Sequence, residues 1–307
     1  MFHSKGWALP LLLGAIIFGG LPNAALALDH DPAIYRLCKR EVGFPAESPC
    51  GLNPQAEQGM FRLLSREYGL AMAPQILGPA ETMGINGFQF DLQFNITSIN
   101  SAQTYWLLGI EDETPPASLV ASRIGVRKGL PASLEVGMHA TYLIASELWA
   151  MSGMLKWAIH EGVKVFPIDF AVRGTVTEVV GSSDMDISVY GFDAILSKTF
   201  GAGGVVAVSP YVAYSPVWII SKSGVVDSTP GFSRYSDQET GNNQPNMMPT
   251  AGGEFVFQSE NQLANRVSLG TRFILGHFNL AFEGNIAPPS GDGEGLQSYA
   301  INLGADF

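Results

Sequence analysis

Beyond its amino-terminal stretch the sequence contains no run of about 18 apolar residues, which excludes a membrane-crossing helix from the rest of the chain. Charge is scarce as well. Asp, Glu, Lys and Arg make up 15% of residues, and the balance is acidic, with 17 basic against 28 acidic side chains and a formal charge of −11. A chain so poor in Lys and Arg is an unsuitable partner for nucleic acid, whose phosphates bind clustered basic side chains. There are two cysteines, Cys38 and Cys50. Two thiols are too few for a structural zinc site and too widely spaced for a redox CxxC pair, so neither a metal nor a cofactor is expected.

What is present begins at the first residues. Residues 1–5 end in the positive charge of Lys5, residues 7–20 are apolar, and Ala25-Leu26-Ala27 is an A-x-A site. Together they read as a secretory signal peptide, residues 1–27, cleaved after Ala27. Export to an oxidising compartment would let Cys38 and Cys50 pair and staple a small loop. Residues 28–86 then form a segment of their own, a helical plug or periplasmic cap. Asp31-Pro32 and Asn53-Pro54 each offer an N-cap followed by a proline at the first helical position. The first predicts a helix with Ile34, Leu37 and Cys38 on one face, ending at Gly43. The second predicts a helix with Phe61, Leu64 and Tyr68 on one face, stopped by Gly69. Pro74, Gly78 and Pro79 make residues 72–84 an extended lead into the remainder of the chain.

From residue 87 onward the pattern changes to a period of two. Phe88, Phe90, Leu92, Phe94 and Ile96 alternate with Gln89, Asp91, Gln93, Asn95 and Thr97. Apolar-out, polar-in alternation over about ten residues is the signature of a barrel strand that faces lipid. It recurs at 118–127, 133–143, 149–160, 168–179, 184–200, 205–220, 266–275, 278–285 and 298–307. Within 184–200 the apolar positions change parity, from Met185, Ile187 and Val189 to Phe192, Ala194 and Leu196, which predicts a β-bulge at Gly191. Residues 205–220 are apolar on both faces. The fold class is therefore all-β: a transmembrane antiparallel up-and-down β-barrel of about ten strands over 87–307, preceded by a short α-helical segment. A further hairpin within 222–262, where Phe255 and Phe257 alternate, would raise the count to twelve. Short, Gly-rich connections at 128–131, 200–204 and 275–277 fall at one end. The long ones, 100–116, 222–262 and 287–297, fall at the other, as barrels in the outer membrane require.

The last strand places Tyr299, Ile301, Leu303 and the terminal Phe307 on one face. It resembles the closing strand of bacterial outer-membrane β-barrels, which usually ends in Phe and is read by the insertion machinery. That resemblance implies a Gram-negative outer-membrane location, with the lipid bilayer and that machinery as partners. The stretch from Arg123 through Gly-Leu at 129–130 to Glu135 and Gly137 is similar to a hairpin of the transporter-type barrels for hydrophobic compounds, the fatty-acid and aromatic-uptake kind. Those barrels have more strands than are counted here, though their amino-terminal plug has an analogue in residues 28–86.

The polar faces place Arg123, Arg127, Glu135, His139, Lys156, His160, Arg173, Arg266, Arg272 and Glu283 in the lumen. Charges of both signs in a narrow space should pair, because an unpaired buried charge is costly. Two readings are open: structural ion pairs, or a path for an anionic or polar solute. A catalytic set would need His139 or His160 beside Ser152 or Thr141, but Glu135 lies about 13 Å along the strand from His139 by strand rise, too far to orient it. The ten-stranded omptin proteases carry an Asp-His pair at the outer rim, whereas the Asp-His dipeptide here is Asp29-His30. Asp184 and Asp186 have the spacing of the first ligands of a calcium loop, but Val189 stands where the turn glycine belongs and Ile195 where the bidentate Glu belongs. The expectation is a non-enzymatic barrel: a pore or transporter-like channel for a small solute gated by residues 28–86, or else a closed barrel acting through its outer loops. An outer-membrane enzyme ranks third.

Overall fold

The computed structural model describes residues 30–39, 50, 55–110, 114–161, 168–202, 206–228 and 253–307. The signal peptide, Gly43, Asn53 and most of the 222–262 connection lie outside these residues. Ten long strands form one closed antiparallel barrel. They are β1 (Phe88–Ser98), β2 (Ser118–Leu130), β3 (Leu134–Leu143), β4 (Trp149–His160), β5 (Asp169–Val180), β6 (Met185–Ser197), β7 (Val206–Ser223), β8 (Glu260–Leu275), β9 (Phe278–Ala287) and β10 (Leu296–Asp306). Each pairs with the next, and β10 pairs with β1 from Gln89 opposite Asp306 to Ser98 opposite Gln297. Phe88 and Phe307 exchange both backbone hydrogen bonds, 2.9 and 2.8 Å. The closing strand thus removes the last open edge, which in lipid would leave a row of backbone groups unsatisfied. β8 begins six residues before the predicted strand. Val226–Asp227 pairs with Glu254–Phe255 only as a two-residue extension, so the barrel has ten strands rather than twelve.

The exterior is apolar along its middle: Phe90, Phe94, Ile124, Met151, Leu155, Leu196, Val212, Leu269 and Phe282 all point outward and are exposed. Inward positions are buried. No bulge interrupts β6 at Gly191, because its pairing with β5 and with β7 keeps one register throughout. Met185, Ile187 and Val189 point inward, and Asp186, Ser188 and Tyr190 point outward. The apparent change of parity has another cause. The upper half of the lumen is itself apolar, and β7 is apolar on both faces for the same reason, with Val217 and Ile219 lining the inside.

That upper lumen holds helix α1 (Gln58–Met72). The helix runs through Gly69 instead of stopping there. A Cβ on Gly69 would lie 2.7 Å from Ile219 Cγ2, so the glycine allows close approach to the wall. The helix ends instead at Ala73, whose extended conformation is the one favoured before Pro74. The first predicted helix is only a 3-10 turn, Ile34–Arg36, and Asp31 does not cap it: its carboxylate accepts the Glu147 N–H at 2.6 Å. An unpredicted helix, α2 (Thr104–Gly109), folds over the same end. Phe61, Leu64, Tyr68 and Met72 of α1 form one core with Trp106 and Ile110, with Ile34 and Leu37, and with inward residues of the wall such as Leu119, Leu143, Ile187 and Ile219.

Candidate functional site

The barrel has a turn end, where Phe88 and Phe307 meet, and a loop end, where the long connections gather. Residues 73–84 descend between them through the lumen as an extended strap. A strap in neither helix nor sheet must find partners for every buried N–H and C=O, and the wall supplies them. Arg123 Nη2 donates to the carbonyls of Met72 and Ala73, both at 3.1 Å, placing a cation at the C-terminus of α1 where the helix dipole favours it. Arg266 Nη2 donates to Pro74 O at 2.8 Å, and Arg173 Nη1 to Gln75 O at 2.8 Å. Glu283 accepts the N–H groups of Ile76 and Leu77, at 3.2 and 2.7 Å, and the hydroxyl of Tyr211 at 2.8 Å. Lower down, Ser197 Oγ accepts the Ala80 N–H at 2.9 Å and Lys156 Nζ donates to Glu81 O at 2.9 Å. Leu77 sits at φ +46°, a left-handed conformation that a leucine keeps only where its surroundings hold it.

The same side chains neutralise one another. Arg127 makes a two-pronged contact with Asp91 at 2.8 and 3.0 Å, and Glu135 lies 3.0 Å from Lys156 Nζ and 3.8 Å from Arg127. Arg173 Nε is 2.6 Å from Asp193, which Arg266 approaches at 3.9 Å from the other side. Arg272 reaches Asp306 at 2.8 Å. Of the ten side chains singled out by sequence, nine are buried, and His160 at the end of β4 is half-buried. The strap is tightly packed where it passes Gln75, Gln93 and Arg123 and again at Pro79, Glu135 and Lys156, with a cavity of about 10 Å³ at most in either place.

His139 lies across from Gly125 and Ser152 in the ladder. It has no nucleophile in hand: the Ser152 hydroxyl bonds Thr177 Oγ1 at 2.9 Å, and Thr141 Oγ1 accepts from Arg123 Nε at 2.7 Å. Neither hydroxyl is therefore bonded to His139. Among the described residues no group of three or more His, Cys, Asp or Glu is arranged to hold a metal ion.

At the loop end the plug is fastened by contacts that sequence reasoning missed. The buried Glu67 carboxylate accepts the Tyr105 hydroxyl at 2.6 Å and Trp106 Nε1 at 2.7 Å, tying α1 to α2. Arg66 donates to Glu294 O at 3.0 Å and Arg62 pairs with Asp292 at 2.5 Å, anchoring the β9–β10 connection. Cys38 and Cys50 form a disulfide with Cα atoms 5.5 Å apart. A run of Tyr-Trp-Leu-Leu at 105–108 inside a loop was the available signal for α2. It is too short to display a helical period.

No protein-family model matches this sequence, and no curated protein is significantly similar to it. Solved structures with a similar arrangement are bacterial outer-membrane β-barrels, and they point to no particular family. Ail, the attachment invasion locus protein of Yersinia pestis, is 7% identical with a TM-score of 0.28, the match covering 73% of this chain and 99% of that one. The KdgM porin is 6% identical with a TM-score of 0.31, covering 71% and 99%. The NanC porin is 11% identical with a TM-score of 0.32, covering 70% and 98%.

Proposed function

We propose that this protein is a bacterial outer-membrane barrel kept shut by its own amino-terminal segment, acting through its loop-end face rather than as a standing pore. The observation that carries this reading is that, among the described residues, the lumen charges are bonded to each other and to the strap backbone that fills the space between them. The apolar exterior, the closed ring of strands and the terminal Phe307 support placement in the outer membrane by the insertion machinery, with the turn end periplasmic.

Magnitude decides between shut and open. Withdrawing α1 would expose Phe61, Leu64, Tyr68 and Met72, and full burial of such side chains is worth about 1.5–3 kcal/mol each. Four of them oppose opening by about 6 kcal/mol or more, which leaves fewer than about one barrel in ten thousand open at rest. A gated passage for a small solute is the second reading. It is favoured by the strap, whose contacts are polar and replaceable by water, but it requires α1 to leave as well.

Single-channel recording in a planar bilayer tests this. Full-length protein should be electrically silent, as should the S65C/S221C variant, whose new disulfide would pin α1 to β7 where Ser65 Oγ and Ser221 Oγ are 2.9 Å apart. Steady conductance of the full-length barrel, abolished by that disulfide, would replace the shut barrel with the gated one.

A further inference from the structure

The contacts of the amino-terminal segment form an ordered ladder along the barrel axis. At the loop end, the His30 N–H donates to Ala145 O in the β3–β4 connection at 2.9 Å, Tyr68 Oη donates to His30 O at 2.8 Å, and Pro32 bridges Ile110 beyond α2. The Cys38–Cys50 disulfide and a bridge between Cys38 and Ala56 lie at this same mouth. Gln58 then contacts Gln258 and Glu260 at the top of β8, and Ser65 contacts Ser221 at the top of β7. Below them come Ala71 O with Asn95 and Met72 O with Arg123, then Leu77 with Glu283 and Ala80 with Ser197. The last contact is Asn86 O with Lys128, at the turn end where β1 begins. The segment thus passes once through the barrel, from the loop mouth to the turn mouth.

From this ladder we infer that the mature amino terminus, with its disulfide-stapled cap, is displayed on the outer surface of the cell, threaded outward through the lumen. The inference rests on the outer-membrane reading above, which makes the turn end periplasmic. It has a consequence for assembly. β1 and β10 are paired along their whole length, so the wall has no gap through which the segment could enter sideways. The segment must be in place before those two strands pair, and the closing strand shuts the barrel around it. The apolar face of α1 gives the upper wall something to fold against, whereas an empty lumen would expose Ile187, Val217 and Ile219 to water.

The test places one short epitope at three positions: directly after Ala27, in the β7–β8 connection, and in the β8–β9 turn at Gly276. Intact cells are probed with antibody, which does not cross the outer membrane. The expected result is binding at the first two positions and binding at the third only after the outer membrane is permeabilised. A hidden amino-terminal epitope together with an exposed β7–β8 epitope would overturn the threading while leaving the membrane assignment standing. A β7–β8 epitope hidden on intact cells would overturn the outer-membrane reading and the threading with it. The unmodified chain supplies a check that insertions cannot disturb. A membrane-impermeant amine reagent should label the exposed Lys39 on intact cells and reach Lys128 at the turn end only after permeabilisation. Labelling of Lys128 without Lys39 would refute the proposal.

Discussion

The two halves of the lumen are built from opposite chemistry, although one continuous segment fills both. The upper half is lined by Leu119, Leu143, Ile187, Val189, Val217 and Ile219, and the lower half by Asp91, Arg127, Glu135, Lys156, Arg272 and Asn279. The difference comes from what each half encloses. α1 satisfies its own backbone through helical hydrogen bonds, so its neighbours need only exclude water and fit its side chains. The strap has no helical or sheet ladder to satisfy its backbone, so its neighbours must donate and accept. An apolar wall around residues 73–84 would strand a run of buried amides, each costing about 1–3 kcal/mol. A charged wall around α1 would strand the charges instead.

Substitutions in each half should therefore fail for different reasons, and the largest effect should come from the lower one. Asp193→Ala leaves both Arg173 and Arg266 without their carboxylate, and breaking a buried pair in this way costs about 3–5 kcal/mol. A denaturant titration of the refolded barrel should show that loss. A smaller but still large effect is expected from Leu64→Ala in the upper half, about 2–4 kcal/mol from the lost apolar contact and the cavity left behind. An unchanged unfolding midpoint for this variant would mean that α1 is not packed against the wall. The smallest effect is the most diagnostic in sign. Alanine normally stabilises a helix interior relative to glycine by about 0.5–1 kcal/mol. Gly69→Ala should instead destabilise by about 1 kcal/mol, because its methyl would sit against Ile219.

The same contrast explains how much of the molecule could be read from the sequence. Contact with lipid forces an apolar face at a period of two, so the ten strands were legible, with 205–220, apolar on both faces, showing the alternation least. The inward faces were legible only in the lower half, where they are polar. At Val217 and Ile219 the inner face is as apolar as the outer, so alternation disappears, whereas at Ile187 and Val189 the inner face is apolar and the outer carries Asp186 and Ser188, so the pattern inverts and imitates a bulge at Gly191. The cause lies more than a hundred residues away, in the apolar stripe of α1, and no local period reports it. The charged side chains expected in the lumen are buried in the structure apart from His160, but the sequence carried no sign that they meet the strap. Backbone carbonyls and amides of a strap carry no sequence signature beyond the prolines that keep it extended. Gly69 misled for a related reason: it reads as a helix stop, yet it serves a close approach that exists only once the helix is inside the barrel.

A strap without secondary structure is held as firmly as the helix above it, by side chains of the wall. Hydrogen exchange across residues 58–84 of the full-length protein in lipid measures this residue by residue. The amides of Ile76, Leu77 and Ala80, donated to Glu283 and Ser197, should exchange as slowly as those in the middle of α1. Exchange of these amides at the rate of an unstructured chain, with α1 still protected, would contradict the account of the lower lumen.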